Sequence, residues 1–447
     1  MPLPLLGLLF SILVAPPEGE YRPFVAGASN EGETAIKRFQ IAPGHKVDLW
    51  AAEPLLANPV IFTFDNRGRC FVAETFRLHA GVTDTRGHMY WLDDDLACRT
   101  VEDRVAMYRK HLGGNLAGYA VEHDRVRLVE DTQGKGKADR ASVFADGFRN
   151  LPDGIGSGLL VHGDSVYWAC IPDLWRLKAG DDPRKASQRE SLAKGFGVHV
   201  GFLGHDLHGL VMGPDGRLYF SIGDRGLRVT TREGKLLDYP DQGSVLRCEP
   251  DGSKLEIFAT GFRNPQELAF DEFGNLFTCD NNSDSGDRAR WLHIVEGGDY
   301  GWRIGYQFFD VPTPRGPWNN EMLWKPDVAK RAAWIMPPIA NFSDGPSGLA
   351  YHPGTSRLGD EWAKTFFLCD FRGSANQSGI RTVKLKPHGA TFEIEKDSRI
   401  VWQSLVTDCE FGPDGALYFS DWVEGWAKPG KGRLYKFTAN DQPLAHR

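Results

Sequence analysis

The sequence predicts an all-β protein, a six-bladed β-propeller with four-stranded antiparallel blades and long rim-loop insertions. Six times along the chain, an apolar run leads into a turn rich in Asp and Gly and then into a short alternating strand. Glycine at such a turn permits positive φ, and the alternation indicates half-buried antiparallel strands. The 51 glycines and 13 tryptophans also favour tight turns and aromatic-rich sheets over helical bundles.

The six copies share this inner hairpin and are spaced along most of the chain. They are FTFDNRGRCFVAE (62–74), LLVHGDSVYWAC (159–170), LVMGPDGRLYFSIGD (210–224), LAFDEFGNLFTCD (268–280), LAYHPGTSRLGDEWAKTFFLCD (349–370) and CEFGPDGALYFSD (409–421). Further strands such as DLWRLKAG and GRLYKF follow several copies, and two hairpins make one four-stranded blade. A pair of β-sandwiches is the alternative, which the fixed recurrence of one hairpin disfavours.

The flanking segments differ from the repeats. We expect a signal peptide and linker in 1–20, an arm in 21–39, the propeller in 40–437 and a tail in 438–447. The run MPLPLLGLLFSILVA has the length of a signal-peptide core and is too short to span a membrane. Export to the periplasm or beyond is therefore predicted, and a tail that is never exported is the alternative.

Charge and cysteine usage limit the classes of partner and cofactor. The formal charge of −7 gives no electrostatic reason to expect a nucleic acid. The seven cysteines stand singly, without a CxxC motif or the CxxCH motif of covalent haem. Several end strand-like runs, which predicts buried thiols. One distant disulfide is left open, and the odd count leaves at least one cysteine outside any intramolecular pair.

Two insertions interrupt the repeats. The first, residues 76–125, contains TVEDRVAMYRKHLGG, a predicted short helix with Thr100 as N-cap and Gly113 after its end. The second, residues 303–340, is rich in proline and holds Trp318, Trp324 and Trp334, which predicts an aromatic loop. Both insertions could form the wall of a pocket on one face or decorate an edge, and the sequence leaves this open.

Two polar clusters next to inner strands carry the candidate chemistry. The first contains His205 and His208, and the second contains Arg263, Asn264 and Gln266 in GFRNPQELAF. A propeller brings such segments together at its central channel. A neutral imidazole can take a proton from a substrate hydroxyl, and a guanidinium can hold a carboxylate or stabilise negative charge. The alternatives are a structural histidine and a turn-capping arginine.

A third cluster, DNNSDSGDRARW, predicts a calcium site. Its candidate ligands are Asp280, Asn281, Asp284 and Asp287. Calcium takes six to eight oxygen ligands, which an acidic loop can supply. The alternative is a solvated acidic surface. A second stretch, 131–139, has the spacing of a calcium loop but carries Gln133 and Lys135 at two ligand positions, so we interpret it as a turn without metal.

These clusters, in this order, resemble the soluble quinoprotein glucose/sorbosone dehydrogenases, six-bladed propellers that use pyrroloquinoline quinone (PQQ) and calcium. The resemblance covers residues 40–437, and GPSGLAYHPG is similar to the family's A-P-S-G-L-A-F-Y stretch. His205, eight residues before the glycine of GPDG, falls at the family's catalytic base. Arg263 and Asn264 match its G-x-R-N-P-Q motif beside cofactor and substrate, which implies cofactor contacts for Asn264 and Gln266.

A second resemblance is to a bacterial family named for membrane-bound dehydrogenases, often fused to HEAT repeats and a c-type haem domain. APGHKVDLWAAEPLLANPV, GHDLHGL and SDWVEGW carry it. Because this sequence has no CxxCH motif, any electron-accepting cytochrome is expected to be a separate protein. The quinoproteins hold the cofactor carboxylates with two arginines before the last PDG hairpin, where this sequence has Leu405 and Thr407. Arg372, in DFRGS, is the candidate replacement.

Together the resemblances imply an exported oxidoreductase acting on a small molecule, a sugar or other alcohol. His205 is the expected base, Arg263 its electrostatic partner, and calcium lies near Asp280 and Asp284. Hydride passes to PQQ or to an unidentified acceptor, and His208 has a supporting role. One alternative is a calcium-dependent hydrolase or lactonase that polarises a carbonyl. Another is a non-catalytic propeller that binds carbohydrate or protein through its aromatic loops.

Overall fold

A computed structural model describes residues 21–325 and 335–441, whose strands form the six sheets of a β-propeller. This confirms the predicted fold class. The predicted signal peptide (1–20), Trp334 and most of the predicted tail (442–447) lie outside the described residues. A helix, α1 (Glu31–Ile36), lies in the predicted arm. No helix within the described ranges is long and apolar enough to cross a membrane.

Each blade is antiparallel, and its first strand lines the central channel. Blade 1 has β3 (Pro59–Phe64), β4 (Cys70–Glu74), β5 (Asp124–Glu130) and β6 (Arg140–Phe148); blade 2 has β7 (Gly156–His162), β8 (Ser165–Cys170), β9 (Asp173–Ala179) and β10 (Ala186–Lys194). Blade 3 has β11 (Leu207–Met212), β12 (Leu218–Ile222), β15 (Gly243–Cys248) and β16 (Glu256–Phe262), with a side hairpin β13 (Leu227–Thr230) and β14 (Leu236–Tyr239).

The remaining three blades repeat this order. Blade 4 has β17 (Ala269–Phe270), β18 (Leu276–Asp280), β19 (Arg290–Ile294) and β20 (Ala340–Asn341). Blade 5 has β21 (Pro346–Tyr351), β22 (Thr365–Asp370), β23 (Gly379–His388) and β24 (Thr391–Trp402), and β1 (Gln40–Ile41) adds a fifth strand. Blade 6 has β25 (Val406–Phe411), β26 (Leu417–Asp421), β27 (Arg433–Ala439) and β2 (His45–Ala52).

The ring closes by pairing the two ends of the propeller sequence. Strand β2 is the outer strand of blade 6 and runs antiparallel to β27, with His45 opposite Ala439. Closure leaves no open gap in the ring of blades, and β1 covers the outer edge of blade 5, which differs from the expected four strands. The apolar core lies between blades, as where Leu174 of blade 2 packs in one cluster with Leu207 and Phe220 of blade 3.

A one-residue bulge recurs in the innermost hairpin of every blade. In blade 3, Leu207 pairs with Ile222, but Val211 pairs with Tyr219, so β11 carries one extra residue between these points. Blades 1, 2, 5 and 6 show the same shift, and blade 4 shows it between an isolated bridge and β17. A bulge re-aims side chains and breaks the ladder locally. Each innermost strand therefore turns its first residues toward the channel mouth.

Both insertions lie at this mouth. The first contains α2 (Leu92–Ala97) and α3 (Val101–Leu112), and Thr100 caps α3 in a capping box with Asp103, as predicted. The second insertion was expected to have no helix, but Pro317 starts a four-residue helix, α4 (Pro317–Asn320). All seven cysteines are buried and unpaired, which confirms the prediction of buried thiols.

Candidate functional site

A cavity of about 570 Å³ lies where the innermost strands begin. Every blade contributes to its lining, through residues that include Ile61, Ser157, His205, Gln266, Ser347 and Thr407. The structure places most of the predicted site residues around this cavity: His205, His208, Arg263, Asn264, Gln266, Asn281, Asp284 and Arg372. Asp280 and Asp287 are buried behind the wall instead. The propeller thus gathers segments that are far apart in sequence.

His205 is paired with a buried carboxylate. Its Nδ1 lies 2.7 Å from Oδ1 of Asp224, whose other oxygen accepts a hydrogen bond of 2.8 Å from the indole N–H of Trp302. Burial alone would raise the pKa of Asp224, but His205, Arg263 and Trp302 outweigh burial and lower it. Because an ionised carboxylate only accepts, Nδ1 carries a proton, which leaves Nε2 as the nitrogen that can act as a base.

The local backbone explains this pairing. His205 and Asp224 each lie two residues beyond the Leu207–Ile222 pair, so an extension of the ladder sets them opposite one another. Gly223 permits the close approach, because a Cβ at this position would lie 2.9 Å from the His205 backbone. The sequence reasoning missed Asp224 as a site residue. The hairpin register, together with the bulge, was the signal that could have found it.

Arg263 is held rigidly beside this pair. The side chain is 1% exposed; its Nε donates to Gln307 at 2.9 Å, and its Nη2 donates to Asp284 at 3.2 Å. The guanidinium also lies 5.6 Å from the ring centre of Phe202 and 5.7 Å from that of Trp302. These contacts fix its orientation, so its charge acts on the cavity without rearrangement.

His208 lies against backbone rather than against another side chain. Its Nε2 is 2.7 Å from the carbonyl oxygen of Gly204, and its Nδ1 is 3.3 Å from that of Ser157. Burial lowers the pKa of this imidazole and favours the neutral ring. A neutral ring has one N–H to donate, and the contact with Ser157 is the one that reaches the first strand of blade 2.

The Asp280 carboxylate stabilises the structure of blade 4 and does not border the cavity. Its carboxylate accepts the backbone N–H groups of Arg263 at 3.1 Å and Asn264 at 2.7 Å, and it forms a fully buried ion pair of 2.5 Å with Arg290. Glu74 of blade 1 ends its second strand in the same way and pairs with Arg125 on the third. Asp280 is therefore one copy of a repeated structural acid.

The other predicted calcium ligands also have protein partners. Asp287 accepts hydrogen bonds from Ser283 and from Trp318, and Asp284 pairs with Arg263. Asn281 borders the cavity. In residues 21–325 and 335–441, no three His, Cys, Asp or Glu side chains converge as metal ligands. Because their carboxylates already face N–H donors and arginines, the four residues do not fit a calcium ion in this arrangement.

The described part of the cavity wall at blade 6 carries no cation and includes the carboxylate of Asp408. Leu405 packs in a cluster with Trp422, and the Thr407 hydroxyl bonds to the Pro59 carbonyl at 3.2 Å. Arg372, the candidate replacement for a cofactor-binding arginine, borders the cavity but pairs with Asp370 at 2.8 Å and Asp344 at 3.1 Å. Blade 6 thus offers no cation to a bound carboxylate.

The side of the cavity at blade 4 presents polar groups to a ligand. Asn264 is 1% exposed and borders the cavity, and its Oδ1 has no hydrogen-bond partner within the described part of the chain. Gln266 and Arg86 border the same cavity, and the Arg86 guanidinium lies 4.2 Å from the ring centre of Phe202. The unsatisfied buried oxygen of Asn264 fits a cofactor with hydrogen-bond donors, whereas Arg86 and Arg263 are already paired with Asp84 and Asp284.

Three carboxylates, of which Asp408 is buried and two are half-buried, continue from the cavity into the central channel. A smaller space of about 300 Å³ adjoins the 570 Å³ cavity, and Glu267 and Asp408 border both spaces. Burial raises the pKa of Asp408 to about 7, although the N–H groups of Phe62 and Cys409 offset part of this rise. Burial and the neighbouring carboxylates also raise the pKa of Glu267 and Glu410 well above the usual range. The sequence reasoning did not identify this cluster.

Comparison with known proteins agrees with this architecture. Aldose sugar dehydrogenase YliI of Escherichia coli K12 is 26% identical over 229 residues, which cover 47% of this chain and 55% of that protein. Quinoprotein glucose dehydrogenase B of Acinetobacter calcoaceticus is 34% identical over 124 residues, 22% of this chain and 26% of that protein. The chain therefore spans about half or less of the length of these relatives.

Structural comparison shows the fold of the soluble glucose dehydrogenases. The crystal structure of a glucose dehydrogenase from Thermus thermophilus superposes with a TM-score of 0.55 at 18% identity, covering 88% of this chain and 99% of the other. The family model described as a domain of unknown function, DUF7133, matches residues 31–428. That match covers almost the whole propeller, and the chain therefore belongs to the DUF7133 family.

Proposed function

We propose that this protein is an oxidoreductase that dehydrogenates a sugar or other alcohol, with His205 as the general base. The observation that carries the proposal is the pairing of His205 with the ionised Asp224 at the wall of an open cavity. An imidazole held in this way keeps its basic nitrogen free for a substrate. Relatives named as an aldose sugar dehydrogenase and a quinoprotein glucose dehydrogenase support the substrate class.

The proposed step moves one proton and one hydride. The substrate hydroxyl gives its proton to Nε2 of His205. The hydrogen on the carbon that bears this hydroxyl leaves as hydride, with two electrons, and a carbonyl group forms. Asp224 stabilises the resulting imidazolium through the bond to Nδ1. Arg263, fixed by Gln307 and Asp284, stabilises the negative charge that develops on the substrate oxygen.

PQQ is the proposed cofactor, and when bound it supplies a two-electron acceptor for the hydride. Asn264 and Gln266 would hold it on the blade 4 side, and Arg86 would contribute if it exchanged its partner Asp84. Arg372 would contribute only if it exchanged one of its carboxylate partners. Export to the periplasm and a separate cytochrome as final acceptor complete the proposal. Calcium is left out of the proposed step, because Asp280, Asp284 and Asp287 are already paired with protein groups.

Dye-linked turnover tests this function. Purified protein incubated with PQQ should reduce an artificial electron acceptor when aldoses are added, and His205→Ala should abolish the signal. His162, an exposed histidine at the end of β7, provides the matched control, and His162→Ala should keep full activity. Absence of dye reduction with every sugar and alcohol would overturn the proposal. Hydrolysis of lactones that requires His205 would replace it with the hydrolase alternative.

A further inference from the structure

An aromatic wall stands on the side of the cavity that blades 5 and 6 form. It consists of Phe371, Trp422 and Trp426, all of which border the cavity. The two indole rings have centres 5.0 Å apart and planes at 71°, and Phe371 lies 5.8 Å from Trp422 and 5.9 Å from Trp426. None of these rings contributes to the proposed proton transfer.

The loop that carries the two indoles is strained. Val423 has φ of 46° and Glu424 has φ of 54°, a left-handed conformation that is unfavourable for side chains and especially for a β-branched one. Gly425 is required here, since a Cβ would lie 1.9 Å from the Trp422 ring. The indole N–H of Trp422 is also buried without a partner among the described residues. Strain of this kind persists where the surroundings impose it, often at a ligand site.

Contacts from other blades hold the loop in this conformation. The Lys428 ammonium lies 3.1 Å from the Glu122 carboxylate of the first insertion and 3.3 Å from the Phe76 carbonyl. The Trp426 indole donates to the Gly373 carbonyl at 3.3 Å. The ring of Trp426 is nevertheless 48% exposed. A large aromatic face is therefore fixed in position and presented to solvent at the edge of the cavity.

A second cavity begins on the far side of Trp426. It measures about 990 Å³ and shares Trp426 and Gly373 with the first. The polar residues in its lining include Asn30, Arg38 and Asn376. A ligand longer than one ring can therefore lie with one end near His205, pass over Trp426 and reach the second cavity. Together the two spaces exceed what a single sugar ring requires.

We propose that Trp426, backed by Trp422 and Phe371, is a stacking platform for a second sugar ring, so that the substrate is an oligosaccharide or the end of a saccharide chain. The C–H face of a pyranose packs on an indole face, while its hydroxyl edge reaches polar groups. Arg372, Gln377 and Asp344 border the cavity beside the platform and supply those groups.

This inference rests on the proposed function and names its substrate class, but binding tests it without turnover. The affinities of the protein for glucose, cellobiose, cellotetraose, maltose and maltotetraose are measured by calorimetry and saturation-transfer NMR, without cofactor. We expect a tetrasaccharide to bind about tenfold or more tightly than glucose. Trp426→Ala should reduce that ratio to near one, and Trp426→Phe should restore part of it.

Phe273 provides the control, because it is a 78% exposed aromatic outside both cavities. Phe273→Ala should keep the wild-type ratio. Equal affinities for glucose and the tetrasaccharides, no binding of any saccharide, or an unchanged ratio in Trp426→Ala would overturn the platform. If chain-length-dependent binding appears without dye reduction, the platform stands and the dehydrogenase proposal fails.

Discussion

Asp224 accepts a hydrogen bond of 2.7 Å from His205, and both side chains are almost wholly buried at the cavity wall. The carboxylate is held in turn by Trp302, which lies in the loop after blade 4's third strand. Two blades therefore fix the orientation of one imidazole. The proposed role of His205 as a base depends on this relationship.

The first prediction concerns this pair. Asp224→Asn removes the negative charge and allows the amide to favour the other imidazole tautomer, so kcat should fall by about 100-fold to 10,000-fold. The measurement is steady-state dye reduction across pH, and the matched control is Asp238→Asn, in the exposed side hairpin of the same blade. A variant with wild-type kcat and an unchanged pH profile would show that His205 is not a base oriented by Asp224.

The second prediction concerns the repeated structural acid. Asp280→Ala leaves Arg290 buried and unpaired, so the free energy of unfolding should fall by about 3–5 kcal/mol. Asp48→Ala is the control, because Asp48 forms an exposed ion pair of 2.9 Å with Lys46 whose loss should change stability by less than about 1 kcal/mol. Denaturant unfolding compares the two variants. Equal stabilities would refute the structural role of Asp280.

The third prediction concerns metal removal. Because Asp280 and Asp287 are saturated by protein donors, treatment with EDTA should leave the melting temperature unchanged. Added calcium should not raise it, since a ligand that binds only the folded state would do so. Differential scanning calorimetry makes the comparison. A fall in melting temperature on chelation, reversed by calcium, would restore the predicted calcium site.

The fourth prediction concerns the channel carboxylates. Burial raises the pKa of Asp408 to about 7 in the folded protein, above the value of about 4 expected in the unfolded chain. Between these values the unfolded state loses its proton first, so this group destabilises the fold increasingly as pH rises from about 4 to about 7. Above about 7 the destabilisation is constant.

Replacing Asp408 by Asn removes this pH-dependent destabilisation. The stability of Asp408→Asn relative to wild type should therefore increase by on the order of 1–3 kcal/mol between pH 5 and pH 8. Chemical unfolding at several pH values measures it, with Asp397→Asn on the exposed part of β24 as the control. A difference that does not vary with pH would contradict a raised pKa at Asp408.

Much of the fold followed from local sequence. The Asp-Gly turns and alternating strands predicted six inner hairpins, and the structure places a hairpin at each of them. The capping residues around α3 were also predicted, because a cap depends on neighbouring residues only. The short helix α4 was missed, since a single turn begun by Pro317 has too few residues to show a helical period.

The site was predicted less completely. His205, Arg263 and Asn264 were identified by their residue types and motifs, and they do border one cavity. Asp280 was identified for its charge, but that charge serves Arg290 and the backbone of blade 4. A sequence pattern shows that a carboxylate is present, but it does not show which N–H groups and cations the fold places beside that carboxylate.

The sequence by itself determined the turns, the alternation and hence the number of blades, because these depend on residues close together along the chain. Only the tertiary structure decided which side chains meet at the cavity. A one-residue bulge in β11 sets His205 opposite Asp224, and without it the ladder would set His205 opposite Arg225. At the bulge, Gly209 has φ of 62° and lies against Ser221 of the same hairpin and the Gln266 carbonyl of blade 4, and the contact between blades is not visible in a local pattern.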